Sequence, residues 1–312
     1  MKIIKISPNL HDIRLNLKGT NFTSILSSWA YKDENLCFLV DTGPTSSLNE
    51  LKLALNQLNI RKDDLRYIFL SHIHMDHAGG VGELIKSFPK AQVICHPKGI
   101  KHLINPERLY EGSIEVLGEV ARLYGEITPV PEERLKYREF FEEGKIKVLD
   151  TSGHAPHHLS FLFDKLLFIG EAAGVNIPIK KGIFTRPATP PVFSYESTLA
   201  SINSLLDEDL SDYMICYAHH GAKDDAVKYL KIAIDQVNLW IQVIDELFEN
   251  RNAENFFEQI IQELLTRDKY FASVNTMDEN SRTKELFFIG NSIRGIVDYL
   301  ERKKKKIRII LP

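Results

Sequence analysis

The 312-residue chain holds only three cysteines, Cys37, Cys95 and Cys216, scattered along it and odd in number. That pattern excludes a disulfide framework and a cysteine-built metal site, and predicts three reduced core thiols. Apolar runs near the roughly 20 residues of a membrane-spanning helix are missing. So is any secretory pattern in residues 1–30, which together predict a cytoplasmic protein with no membrane partner. The chain also lacks a basic excess: 39 Lys and Arg stand against 42 Asp and Glu, a net charge of -3. Nucleic-acid binders show the opposite balance, so a small-molecule substrate is expected instead. The basic features are the run Arg302–Lys306 and the pair Lys98 and Lys101, and a solvated terminus accounts for the first.

What is present is a strand–helix alternation. Lys2–Ile6, Ile13–Leu17, Thr23–Tyr31 and Leu36–Val40 read as strands, then Leu48, Leu51, Leu55 and Leu58 fall at helical spacing. Arg66–Leu70 returns as a strand, Val81–Phe88 as a helix and Gln92–Cys95 as a strand, the rhythm of an α/β fold. Residues 98–143 change character, with apolar residues at helical intervals and Pro106, Pro129 and Pro131 as punctuation, which predicts a helical insertion. Strands Ile146–Leu149, Leu159–Phe163, Leu166–Ile169 and Tyr213–Ala218 follow, with a helix starting at the N-cap Ser194. Prolines stiffen the loop Arg186–Pro191. Beyond residue 224 three amphipathic helices are expected, so the chain divides into 1–224 and a helical extension 225–312. An exposed face on those helices would serve a homodimer.

The chemistry gathers at strand ends. Tyr67–Leu70 runs straight into Ser71-His72-Ile73-His74-Met75-Asp76-His77 and then two glycines. Three imidazoles and a carboxylate are more ligands than one tetrahedral ion takes from a short loop, so the loop suits two adjacent metals. Imidazole and carboxylate favour zinc, and also iron or manganese. Further strand ends supply His154, Glu171 and His219 or His220. Open α/β folds place ligands at strand carboxyl ends, so four such ends could converge on one site. Asp41, before Thr42 and Gly43, is either a turn former or a carboxylate that orients a metal-bound histidine. His96, before Pro97, reads as structural, with ligation as the alternative.

His72-x-His74-x-Asp76-His77 resembles the signature of the metallo-β-lactamase-fold superfamily, hydrolases built as an αββα sandwich around one or two metals. Asp41-Thr42-Gly43 and Ser152-Gly153-His154-Ala155-Pro156-His157-His158-Leu159-Ser160 resemble its other motifs, with Ser152 for the usual Pro and His157 for the second Gly. The match covers roughly residues 1–222 and is specific for the fold more than for the substrate. The resemblance implies one metal on His72, His74 and His154 and a second on Asp76, His77 and the histidine after the last strand, for which His219 is better placed. It makes His158 a non-ligand neighbour. One departure stands out: Phe168-Ile169-Gly170-Glu171 offers Glu where the bridging Asp is usual, which leaves one metal or two open.

By the same resemblance the expected enzyme cleaves a small-molecule thioester, ester or lactone in the manner of glyoxalase II. Metals lower the pKa of water from 15.7 to roughly 7 and so supply hydroxide, with Asp76 as ligand and orienting group. Tyr195, Tyr217 and His158 are candidate donors to a developing oxyanion. The alternatives are a nuclease or phosphodiesterase of the same fold, an iron-dependent persulfide-dioxygenase-like enzyme, and a non-catalytic metal-binding scaffold.

Overall fold

The structure, a computed structural model, describes residues 1–17, 26–180 and 182–310. In chain order it begins β1 (Lys2–Lys5), β2 (Leu10–Leu15), β3 (Leu26–Lys32), β4 (Cys37–Val40), α1 (Leu48–Gln57) and β5 (Tyr67–Phe69). Then come α2 (Met75–Ala78), α3 (Val81–Ser87), β6 (Gln92–Ile94), α4 (Pro97–Ile104), α5 (Glu107–Leu117) and α6 (Glu119–Tyr124). Next are β7 (Leu135–Lys136), β8 (Phe140–Phe141), β9 (Ile146–Asp150), β10 (Leu159–Phe163), β11 (Leu166–Gly170), β12 (Val175–Ile177) and β13 (Phe184–Arg186). The chain ends with α7 (Tyr195–Leu206), β14 (Met214–Tyr217), β15 (Gly221–Lys223), α8 (Ala226–Leu247), α9 (Phe256–Arg267) and α10 (Glu279–Ile310). Two compact units result. The first comprises Met1–Asp150, His157–Gly170 and Met214–Lys223, and the second Thr151–Pro156, Glu171–Tyr213 and Asp224–Pro312.

The first unit contains two sheets, ordered β1-β2-β3-β4-β5-β6-β7 and β15-β14-β11-β10-β9-β8. Strands β4 to β7 run parallel, so their sequences are apolar on both faces, and period-2 alternation sorts the side chains. Leu39, Ile68 and Val93 join a core with Leu51 and Leu55 of α1 and Leu84 of α3. Their neighbours Phe38, Phe69 and Ile94 face the other way, into a core shared with Phe161, Phe163 and Phe168 of the second sheet. There the rings pack edge to face, Phe38 against Phe163 at 5.3 Å and against Phe168 at 5.9 Å between centroids. Asp12 of β2, wholly buried, bonds Arg14 Nε at 2.8 Å, and burial pushes its carboxyl above the usual range.

In the second unit the hairpin β12–β13 and the helices bury their own core. Phe184 packs with Trp240 and Ile244 of α8, Ile260 of α9 and Ile289, Ile293 and Ile296 of α10. Asp268, after α9, accepts from Gln236 Nε2 at 2.7 Å and Trp240 Nε1 at 2.8 Å, which satisfies a buried carboxylate.

Several expectations change here. The strand expected at Thr23–Tyr31 is seen from Leu26, its first three residues lying outside the described ones. Segment 98–143 is helical only in its first half. Its second half gives the first sheet an edge strand, β7, through pairing with distant β6, and the second an edge strand, β8, through a short hairpin with β9, and both pairings override local periodicity. The expected boundary after residue 224 also differs from the observed units, since the apolar hairpin residues of 175–186 are buried with the C-terminal helices. No helix among the described residues is long and apolar enough to cross a membrane.

Cys37, Cys95 and Cys216 are buried free thiols. Burial pushes Cys37 and Cys95 up to about 12 and Cys216 well above the ordinary thiol value. Folded protein at pH 8 is therefore expected to leave all three unreacted toward an aromatic disulfide reagent, and unfolded protein to release three equivalents. Rapid reaction of the folded chain would contradict this burial.

Candidate metal centre

Each expected site residue sits just beyond a strand, where the side chains no longer need to fill a core. Strand β5 ends at Phe69, and the backbone turns through Ser71 into the short helix α2, whose N-cap is His74 and whose first turn holds Asp76. The ring centroid of His72 lies 4.5 Å from that of His74 and 4.4 Å from that of His77. Asp76, His77 and His219 each offer a ligand atom, all within 4.8 Å of one another. His219 and not His220 is gathered with them: its Nε2 lies 3.9 Å from Asp76 Oδ2. His220, in a left-handed conformation, is the turn that starts β15.

Asp41 stands where an orienting carboxylate would be placed. It adopts φ +59, which Asp tolerates better than most residues, and its carboxylate spans the ends of two strands. Oδ1 accepts from Ser71 N at 2.8 Å and Oδ2 from Ser71 Oγ at 2.7 Å, while His77 Nδ1 lies 3.3 Å from Oδ2. His77 Nε2 faces a second carboxylate, Asp76 Oδ2, also at 3.3 Å. A neutral imidazole has one N–H, so with Nδ1–H directed at Asp41 the lone pair of Nε2 confronts an anionic oxygen. A cation shared by Nε2 and Asp76 turns that repulsion into coordination, the carboxylate–histidine–metal arrangement. Asp41→Asn is expected to weaken the ion held there by about 10- to 100-fold in a competitive chelator titration. Unchanged affinity would show that Asp41 is a turn former alone.

In the second unit the same logic recurs. His154 Nδ1 lies 2.9 Å from the Ala188 carbonyl oxygen, which only accepts, so Nδ1 bears the proton. In the neutral ring Nε2 then presents its lone pair 3.1 Å from Glu171 Oε2, again two electron-rich atoms that a cation would reconcile. Both residues are buried. Glu171 directly follows Gly170, which ends β11 with φ +59. A Cβ at residue 170 would overlap the His158 ring and approach Ser71, so only glycine delivers Glu171 this way.

The remaining candidates take other places. His158 is fully buried, stacked on His72 at 5.2 Å. His96 caps α4, its Nδ1 accepting from Lys98 N at 3.0 Å and its Nε2 3.1 Å from Asp150. Tyr195 donates its hydroxyl to Asn238, and Tyr217 is buried in the β14 core, so neither is an evident oxyanion donor. Arg302 and Lys304 pair with Asp298 and Asp245. Sequence reasoning missed Ser71 and Ala188. Ser71 stands between Leu70 and His72 with no pattern of its own, and Ala188 acts through a backbone carbonyl.

Residues 24–219 match the family model described as the metallo-beta-lactamase superfamily. The "Metallo-beta-lactamase fold-containing protein ST1585" of Sulfurisphaera tokodaii is 28% identical over 233 residues, spanning 71% of this chain and 84% of the relative. A hydroxyacylglutathione hydrolase of Blochmanniella pennsylvanica is 28% identical over 216 residues, 64% of this chain and 72% of the relative. The crystal structure of TTHA1429, a metallo-beta-lactamase family protein of Thermus thermophilus, superposes with a TM-score of 0.64 at 19% identity. It covers 96% of this chain and 95% of its own, and at that identity it speaks for the fold alone. Fold, motif set and matched span agree: this chain belongs to the metallo-beta-lactamase superfamily of metallo-hydrolases.

Proposed function

We propose that the chain is a binuclear metallo-hydrolase, zinc-dependent in the first instance, that cleaves a small-molecule thioester, ester or lactone. His72, His74, His154 and Glu171 would hold one ion, and Asp76, His77 and His219 the other. His154 lies in a loop tied at one end to Asp150 of β9 and at the other to His157, and Glu171 is one residue from β11. The observation that carries the reading is the pair of opposed nitrogen and carboxylate atoms, His77 with Asp76 and His154 with Glu171, each suited to a cation. Bound divalent ions supply Lewis acidity and a nucleophilic water at neutral pH.

The protein's own part is orientation. Asp41 and the Ala188 carbonyl hold the Nδ1 protons of His77 and His154, so both rings offer Nε2 inward. Glu171 is one methylene longer than an Asp and would hold the ion of His154. The similarity to hydroxyacylglutathione hydrolases favours an acyl carbon over phosphorus as the point of attack. Three buried thiols fit a reducing, cytoplasmic setting.

The test is a panel of thioesters, esters and lactones offered to protein loaded with two equivalents of zinc. Turnover of at least one class is expected. No turnover, with salt-sensitive cleavage of RNA or DNA instead, would replace this reading with the nuclease one.

A further inference from the structure

We propose that the C-terminal helix α10 positions the metal ligand His154, acting through the proline-rich loop 186–191. The inference rests on the proposed role of His154 as a ligand. His154 Nδ1 donates to the Ala188 carbonyl at 2.9 Å, so the tautomer and the ring angle depend on where that one carbonyl stands. Loop residues on both sides of Ala188 are bonded to α10. Ser292 Oγ donates to the Pro187 carbonyl at 3.0 Å, and Thr189 Oγ1 donates to the Ser292 carbonyl at 2.8 Å. Just beyond, Gly295 lets the helix backbone approach so closely that a Cβ there would overlap the Thr189 carbonyl oxygen. Thr189 and Ser292 are buried, so these bonds form away from competing water. Proline at 187, 190 and 191 fixes φ at three of the six loop positions, and a loop so stiffened moves with the helix it is bonded to and carries the carbonyl along. The C-terminal extension is thereby part of the metal centre, though among the described residues it contributes no ligand of its own.

Cobalt(II) titration of full-length apoprotein tests this, because the visible d–d bands report ligand geometry without any turnover. Wild type and His154→Ala identify the band belonging to the His154 ion. In Ser292→Ala and Gly295→Ala that band is expected to shift and its ion to bind about tenfold more weakly, the low end for loss of an outer partner. The ion of Asp76, His77 and His219 should be unaffected. A Ser292→Ala protein with wild-type melting, spectrum and affinity would overturn the inference. If Gly295→Ala does not fold, Ser292→Ala decides alone, since it removes only a hydroxyl. A wild-type protein that takes up no cobalt would instead overturn the ligand assignment beneath it.

Discussion

Asp76→Ala is expected to lower turnover of an acyl substrate by about three orders of magnitude, roughly 4 kcal/mol of barrier. The carboxylate lies in the first turn of α2, with Oδ2 at 3.3 Å from His77 Nε2 and 3.9 Å from His219 Nε2. It is the only anion in that three-residue group. Removing it leaves two neutral imidazoles, a set that holds a divalent ion poorly and neutralises none of its charge. The metal content should fall by one equivalent while the His154 ion stays. Asp76→Asn should retain the shape and still lose the ion, which separates charge from packing. Full activity with one equivalent fewer would mean that the second ion does not serve the reaction. Unchanged metal content would remove Asp76 from the ligand set.

Glu285→Ala is expected to cost about 3–5 kcal/mol in urea-induced unfolding, the usual result of stripping one partner from a buried ion pair. Glu285 Oε2 lies 2.6 Å from Arg186 Nε, and each side chain is only 7% exposed. The pair joins β13 to α10 within the second unit, and among the described residues the orphaned guanidinium would keep the Pro187 carbonyl, at 3.3 Å, as a partner. That cost is a large share of the 5–15 kcal/mol typical of a folded protein. The double variant Arg186→Met/Glu285→Leu should recover most of the loss, because two apolar side chains of similar volume need no solvation. A loss below about 1 kcal/mol for Glu285→Ala would show that water reaches Arg186 once the partner is gone.

Much of this architecture could be read from the chain because its signals are local. Phe38, Leu39 and Val40 alternate between two cores with the period of a strand, and the His72–His77 cluster lies within six residues. What escaped depends on distance along the chain or on backbone atoms. Strand β7 is two residues long and exists through pairing with β6 across the whole of α4 to α6, while β8, equally short, is too brief to show a period before its hairpin with β9. Arg186 and Glu285 meet across 99 residues, with no spacing to announce them. The Ala188 carbonyl has no side-chain signature at all, and Gly295 is set in a helix where glycine is normally a poor choice. Asp41 was ambiguous as sequence, since a turn and an orienting carboxylate use the same residue. In the structure its carboxylate bonds Ser71 and approaches His77, which meets the geometry of both readings, and the Asp41→Asn titration separates them.

An anomalous-scattering crystal structure of zinc-loaded protein shows whether the seven side chains hold two ions. Two peaks are predicted, one ligated by Asp76, His77 and His219 and one by His72, His74 and His154, with Glu171 in contact with at least one of them. No peak at these residues, or a single peak with Asp76 or His219 turned away from it, would rule out the binuclear site.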